Sequence, residues 1–180
     1  MTAISNRTAL LRATIAVVAR SGLRALTYRA VAAEAGVSHG LVRHHFGSRD
    51  ALIAAALAYA VERSLAESTP QPRTAEEFAL GLEDLADRER EAFQYELALE
   101  STRRPELREA VRRYYETYRD SIADRLRALG IEDDDLIDVV WLALDGLVFK
   151  QVVMGDVPEA APVLDRIRRI VVAAGRAPAA

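Results

Sequence analysis

The stretch LTYRAVAAEAGVSHGLVRHHFGSRDALIAAAL, residues 26–57, decides how the rest of this 180-residue chain is read. Thr27 caps a short helix that runs through Ala35, with Val31, Ala32 and Ala35 facing inward. Its hydroxyl takes up one of the amide donors that every helix start leaves open. Gly36 stops the helix, because the left-handed turn that closes it costs glycine little. Val37 plugs the turn, Ser38 caps the next helix, and His39 to Phe46 gives about two turns with Val42 and Phe46 inward. Ser48 caps again, Asp50 suits the positive end of the helix dipole, and a long helix runs to about Ser68.

Outward from this stretch the periodicity stays helical. Leu11, Ile15 and Val18 recur at helical spacing between Thr8 and Arg20, and Gly22 follows as a stop. The segment STPQPRT, residues 68–74, holds two prolines among polar residues and reads as a boundary or sharp loop. Thr74 and Glu77 have capping-box spacing and open a helix with Phe78, Leu82 and Leu85 on one side. A further helix carries Phe93 and Leu97 to about Thr102. Pro105 suits the first turn of the next, whose stripe is Leu107, Val111, Tyr114, Tyr118, Ile122 and Leu129 before Gly130 stops it. The acidic run Glu132 to Asp135 then caps a helix from Leu136 to Met154 that is apolar on two faces, Val139, Ala143 and Leu147 on one and Trp141, Leu144 and Val148 on another. Such a helix is buried on two sides. From about Glu159 to Ala174, Val163, Leu164, Ile167, Ile170 and Val171 oppose Arg166, Arg168 and Arg169. The expected fold is all-α with about nine helices: residues 1–50 as an N-terminal three-helix unit, 51–68 as a connecting helix, and 69–180 as a C-terminal helical bundle.

Composition narrows the function classes. A 51% hydrophobic content supplies a core. The absence of cysteine excludes disulfides, thiolate metal sites and a cysteine nucleophile. No signal-like apolar region opens the chain and no run of about eighteen apolar residues occurs, so a soluble, cytoplasmic protein with no membrane partner is expected. Residues 1–50 carry seven arginines against Glu34 and Asp50, a net charge of +5, which leaves −8 on the rest of a chain whose total is −3. A basic end on an acidic body suits a chain that meets a polyanion at one end.

His39, His44 and His45 are all the histidines present, gathered within seven positions, and admit three readings: a metal site, a catalytic base, or a surface that touches phosphates and bases. Their spacing on a two-turn helix, with Glu34 and Asp50 outside it, argues against a metal. No nucleophile elbow, phosphate-cradling glycine loop or helix-borne carboxylate pair is present, so neither an enzyme nor a cofactor is expected.

Residues 26–57 resemble the helix-turn-helix of the TetR family of bacterial transcriptional regulators: a threonine-capped helix, an alanine-glycine-valine-serine turn, a short recognition helix ending in phenylalanine, and a serine-basic-acidic start to the helix that follows. The resemblance is strong over about residues 8–66, and beyond them only helix number and length are similar. It implies that the second helix of the motif enters the major groove of double-stranded DNA. Ser38, His39, Gly40 and Leu41 then face base edges: Gly40 allows close backbone approach, Leu41 suits a thymine methyl, and His39 a purine acceptor. By the same resemblance Arg43, His44 and His45 reach the backbone, Thr27, Tyr28 and Arg29 contact phosphate with Arg29 also near a base, and Arg49 replaces a lysine that binds phosphate. Arg43 stands where the family usually has tyrosine, and Leu41 where it often has a small polar residue. Arg43 therefore makes either a charged phosphate contact or a contact to guanine.

The implied function is a homodimeric repressor released from a palindromic operator by an unidentified small-molecule effector. The alternatives are an activator or ligand-independent regulator of the same family, or a helical protein-interaction module that binds no DNA. Phe93, Glu96, Tyr114, Tyr118, Trp141 and Asp145 are the candidate effector residues, and Val139, Ala143, Leu147, Val163, Ile167 and Ile170 the candidate dimer seam.

Overall fold

In a computed structural model, residues 3–67, 72, 74, 77–78 and 87–175 are described, and among them every regular element is helical. The order is α1 (Ala3–Ser21), a 3₁₀ turn (Leu23–Ala25), α2 (Tyr28–Ala35), α3 (His39–Phe46), α4 (Arg49–Glu67), α5 (Arg88–Ser101), a second 3₁₀ turn (Pro105–Leu107), α6 (Arg108–Arg127), α7 (Asp134–Met154) and α8 (Ala160–Ala174). Among the described residues no helix is long and apolar enough to cross a membrane. The expected helix after Thr74 falls mostly outside them. Its start is visible, because the Glu77 amide donates to Thr74 Oγ1 at 3.1 Å and the Phe78 amide to the Thr74 carbonyl at 3.0 Å.

The contacts divide the chain into two units, residues 1–64 with 87–115 and residues 65–86 with 116–180. In the first, α1 packs against both α2 and α5, and α2 against α3. Leu10, Leu11, Val18, Leu23, Leu26, Val31, Val42, Leu52, Ile53, Phe93 and Leu97 are buried there. Thr14, buried in the middle of α1, donates its hydroxyl to the Leu10 carbonyl at 2.8 Å, so its polar group costs little inside the core. In the second unit Ala123 and Leu126 of α6, Ile137, Val140 and Leu144 of α7, Ile167 and Val171 of α8, together with Phe78 and Ile131, form one apolar cluster. Arg119 Nε donates to Asp138 Oδ1 at 2.6 Å and ties α6 to α7.

Two expectations are corrected by local chemistry. Pro105 does not open α6. Arg104 before it is extended, and the Leu107 amide closes a 3₁₀ turn on the Arg104 carbonyl at 3.0 Å before the α-helix begins at Arg108. Nor does the α6 stripe extend to Leu129. The helix ends at Arg127, and the Ile131 amide reaches back to the Leu126 carbonyl at 3.1 Å around Gly130, whose φ is +81°. Leu129 still packs against the cluster from within the turn.

Candidate nucleic-acid interface

The α2–turn–α3 motif is built from its own caps. Thr27 Oγ1 accepts from the Ala30 amide at 3.1 Å and starts α2. At the other end the Gly36 amide bonds the Ala33 carbonyl at 3.2 Å and the Val37 amide the Ala32 carbonyl at 2.9 Å, the paired closure of a Schellman turn, with Gly36 at φ +66°. Ser38 takes the N-cap position of α3 with extended backbone, but its hydroxyl makes no capping bond and its side chain is exposed. The capping role expected for that hydroxyl is thus absent, and the oxygen stays available to a partner.

Val42 anchors α3 and is fully buried. Opposite it His39, Gly40, Arg43 and His44 are exposed, while Leu41, His45 and Phe46 are half-buried. At 100° per residue the four exposed positions share one side of the helix. A Cβ built at Gly40 would meet nothing within 4 Å, so this chain's own packing does not require glycine there. His44 and His45 meet edge-on at 5.6 Å between ring centroids. The Arg7 guanidinium lies 5.4 Å from the Phe46 ring centroid and brings an additional cation to the C-terminal end of α3. Arg7 was legible only as one arginine in a helical run, since the partner that places it is 39 positions away.

Other expected contact residues are held in specific ways. Arg29 is exposed on the first turn of α2, whereas the Tyr28 hydroxyl donates to the Gly47 carbonyl at 3.2 Å and fastens the start of α2 to the end of α3. Ser48 Oγ accepts from the Ala51 amide at 3.1 Å and caps α4. Arg49 turns inward: its Nε donates to the Leu26 carbonyl at 3.1 Å and its Nη2 to the Leu23 carbonyl at 2.6 Å. Arg20 at the end of α1 bonds Glu34 of α2 at 2.7 Å. That hydrogen bond, reinforced by the guanidinium charge, lowers the Glu34 carboxyl below its ordinary value.

The candidate effector residues are distributed over both units. Phe93 and Tyr114 are buried in the first. Glu96, also in the first, spends its Oε1 on the Leu23 amide at 2.8 Å, an intramolecular bond rather than an open binding group. In the second unit the half-buried Tyr118 and Trp141 rings stack 6.3 Å apart with planes 7° from parallel, and Asp145 is half-buried.

The seam residues separate as well. Val139 is exposed, and Ala143, Val163 and Ile170 are half-buried. Leu147 and Ile167 are 6% and 5% exposed, enclosed by their own chain rather than offered to a second one. The large apolar side chains that α7 leaves open are instead Val139, Leu142, Phe149, Val153 and Met154, with Leu142 at 65% and Val153 at 64%.

Residues 10–56 match the bacterial regulatory proteins of the tetR family, and residues 73–175 match the tetracyclin repressor-like C-terminal domain. No curated protein matches the chain in sequence comparison. Among solved structures, a putative TetR-family transcriptional regulator from Rhodococcus sp. is 24% identical, with a TM-score of 0.79 over 95% of this chain and 98% of that one. GusR of Salmonella enterica is 18% identical with a TM-score of 0.75, covering 97% of each chain. The multidrug binding protein EbrR complexed with proflavin is 30% identical with a TM-score of 0.59 over 93% of this chain and 98% of its own.

Proposed function

The chain belongs to the TetR family of bacterial regulatory proteins, a DNA-binding transcriptional regulator, and from that premise we propose that it is a cytoplasmic, homodimeric repressor released from a palindromic operator by a small molecule. The observation that carries the DNA-contacting part is the exposed side of α3: His39, Gly40, Arg43 and His44 are outward, and Gly40 leaves a gap that nothing in the chain fills. A helix so presented suits a major groove, with base edges at its start and phosphates along its flank. Two copies related by a twofold axis then read two half-sites one or two helical turns apart.

The exposed apolar row on α7 supports dimerisation. Val139, Leu142, Phe149 and Val153 recur at spacings of three, seven and four, with Gly146 filling the gap in the row. A twofold pairing sets such a row against its own copy and withdraws it from water. The effector proposed is a planar cationic aromatic. Its support is the stacked, half-buried Tyr118–Trp141 pair and the binding of proflavin and ethidium by EbrR. An effector that prefers the conformation with mismatched recognition helices lowers operator affinity by that preference alone.

Selection of duplexes from a random pool by the full chain tests the reading. A palindrome is expected to be enriched, and proflavin or ethidium to release the selected duplex at micromolar concentration. Enrichment of no sequence at low salt would leave the helical interaction module, and an operator unaffected by either dye would withdraw the proposed effector class.

A further inference from the structure

The connector between α1 and α2 is gripped by side chains from two other helices. Leu23, buried at the start of its 3₁₀ turn, donates its amide to Glu96 Oε1 in the middle of α5 at 2.8 Å, across 73 positions of sequence. Its carbonyl accepts from Arg49 Nη2 at 2.6 Å, and Arg49 Nε adds the Leu26 carbonyl at 3.1 Å. One residue on, Asp50 receives Arg104 Nη2 at 3.1 Å from the segment that follows α5. Two adjacent peptide groups thus point an N–H at an anion and a C=O at a cation, both charge-assisted bonds of the stronger kind.

Gly22 is shaped to admit this grip. Its φ is +74°, and a Cβ there would stand 3.2 Å from Glu96 Oε1, so any side chain would be strained and would crowd the carboxylate. The connector matters because it is the covalent path from α1 to Thr27, the residue that caps α2, and α2 in turn carries α3.

We propose that Glu96 and Arg49 are positioning residues for sequence recognition: they fix the Leu23–Leu26 connector and so set the attitude at which α3 meets the base edges. The inference rests on the reading that this chain contacts DNA through α3. Base contacts depend on direction and distance, whereas phosphate contacts are long-ranged and tolerant, so loosening the connector should degrade discrimination more than affinity for any DNA. Arg49 accordingly acts through the backbone it holds, and its replacement should not behave like the loss of a phosphate contact.

The test uses a duplex selected by the wild-type chain and a scrambled duplex of the same length, well below the melting temperature so that all variants are folded. Glu96→Ala should lower affinity for the selected duplex about tenfold, the scale of one lost charge-assisted bond, and for the scrambled duplex less than about twofold. Exchange of the Leu23 amide proton should accelerate in the same variant. Glu96→Gln, which keeps an acceptor oxygen in place, should restore most of the discrimination. Arg49→Lys, a single ammonium in place of a fork that reaches two carbonyls, should reproduce the loss in the ratio of affinities, and it carries the test if Glu96→Ala does not fold. A Glu96→Ala chain that loses Leu23 protection yet binds both duplexes as the wild type does would reduce the grip to a structural tie. Equal losses on both duplexes in Arg49→Lys, with a lower salt slope, would return Arg49 to the phosphates. Failure of the wild-type chain to select any duplex would refute the DNA reading itself and is distinguishable from both.

Discussion

Helices α3 and α7 each leave a face uncovered, and the two faces differ in kind. On α3 and its N-cap the uncovered side chains are a serine, two histidines and an arginine around a glycine, with the buried Val42 holding the helix down. On α7 they are valines, a leucine, a phenylalanine and a methionine, while Ile137, Val140, Leu144 and Leu147 fill the core on the other side. Water solvates the first face at no penalty, so folding is indifferent to it and a charged partner can be met without rearrangement. The second face carries a standing cost for each large apolar side chain left 42–67% exposed, a part of the roughly 1.5–3 kcal/mol that full burial is worth, which an apolar partner removes. The same chain thus displays one polar surface, to which we assign specificity, and one apolar surface, to which we assign assembly.

The largest effect should come from inverting the second face. Leu142→Asp with Phe149→Asp is expected to give a folded monomer by light scattering, and affinity for a two-half-site duplex should fall about a hundredfold or more, because each half then binds alone. Leu147→Asp, five positions from Leu142 but enclosed by its own chain, should unfold or aggregate instead. A dimeric Leu142→Asp, Phe149→Asp chain would show that the apolar row has another occupant.

This contrast marks where the sequence was informative. The caps and turn of α2–α3 are local: Thr27, Gly36 and Val37 bond partners within five positions, and their pattern was enough to place both helices. In α7 apolar residues stand on two faces of the helix, so periodicity could not say which side met the core. The expected face of Val139, Ala143 and Leu147 combines an exposed, a half-buried and a buried residue. From the sequence Glu96 suits a ligand group and Arg49 a phosphate contact, because nothing in a linear pattern joins Glu96 to Gly22 and Leu23, or Arg49 to two backbone carbonyls. Their placement is a product of packing, which brings α5 against α1.

Within the polar face Arg43 should have the next largest effect. Arg43→Tyr is expected to change the base preferred at one position of each half-site, with discrimination shifting by about 1–3 kcal/mol, the range for one bidentate contact to guanine. Repeating duplex selection with the variant measures this. An unchanged motif with weaker binding to all duplexes would place the guanidinium on phosphate.

Gly40 separates stability from binding more sharply. In the first turn of α3, where Gly40 has no positive φ, Gly40→Ala removes the excess flexibility of glycine and meets no neighbouring atom of its own chain, so it should stabilise the fold by about 0.4–1 kcal/mol. The added methyl nevertheless stands on the face proposed to approach the bases, and selected-duplex affinity should fall several-fold. Urea unfolding and duplex titration on one sample read both quantities. A gain in stability with undiminished affinity would show that the backbone at Gly40 does not come close to DNA.

The smallest effect is expected from a polar contact that water can replace, the bond of Arg20 to Glu34 across α1 and α2. The hydrogen bond first, and the arginine charge second, depress the Glu34 carboxyl in the folded chain. A carboxyl depressed on folding adds stability that is present in full above its unfolded value, about 4.3, and disappears as pH falls through the lower folded value. The wild-type chain should therefore exceed Glu34→Gln in urea midpoint by a small margin at pH 7, and the two should converge below about pH 4. Both side chains are accessible, at 59% and 34%, so added salt should shrink even the neutral-pH margin. A difference that persists at pH 3 would mean that the glutamate acts through packing rather than charge. A small value at pH 7 has the same cause as the indifference of folding to the outward side of α3: where water competes for a polar group, the intramolecular bond adds little, and the group remains free for a partner that excludes the water.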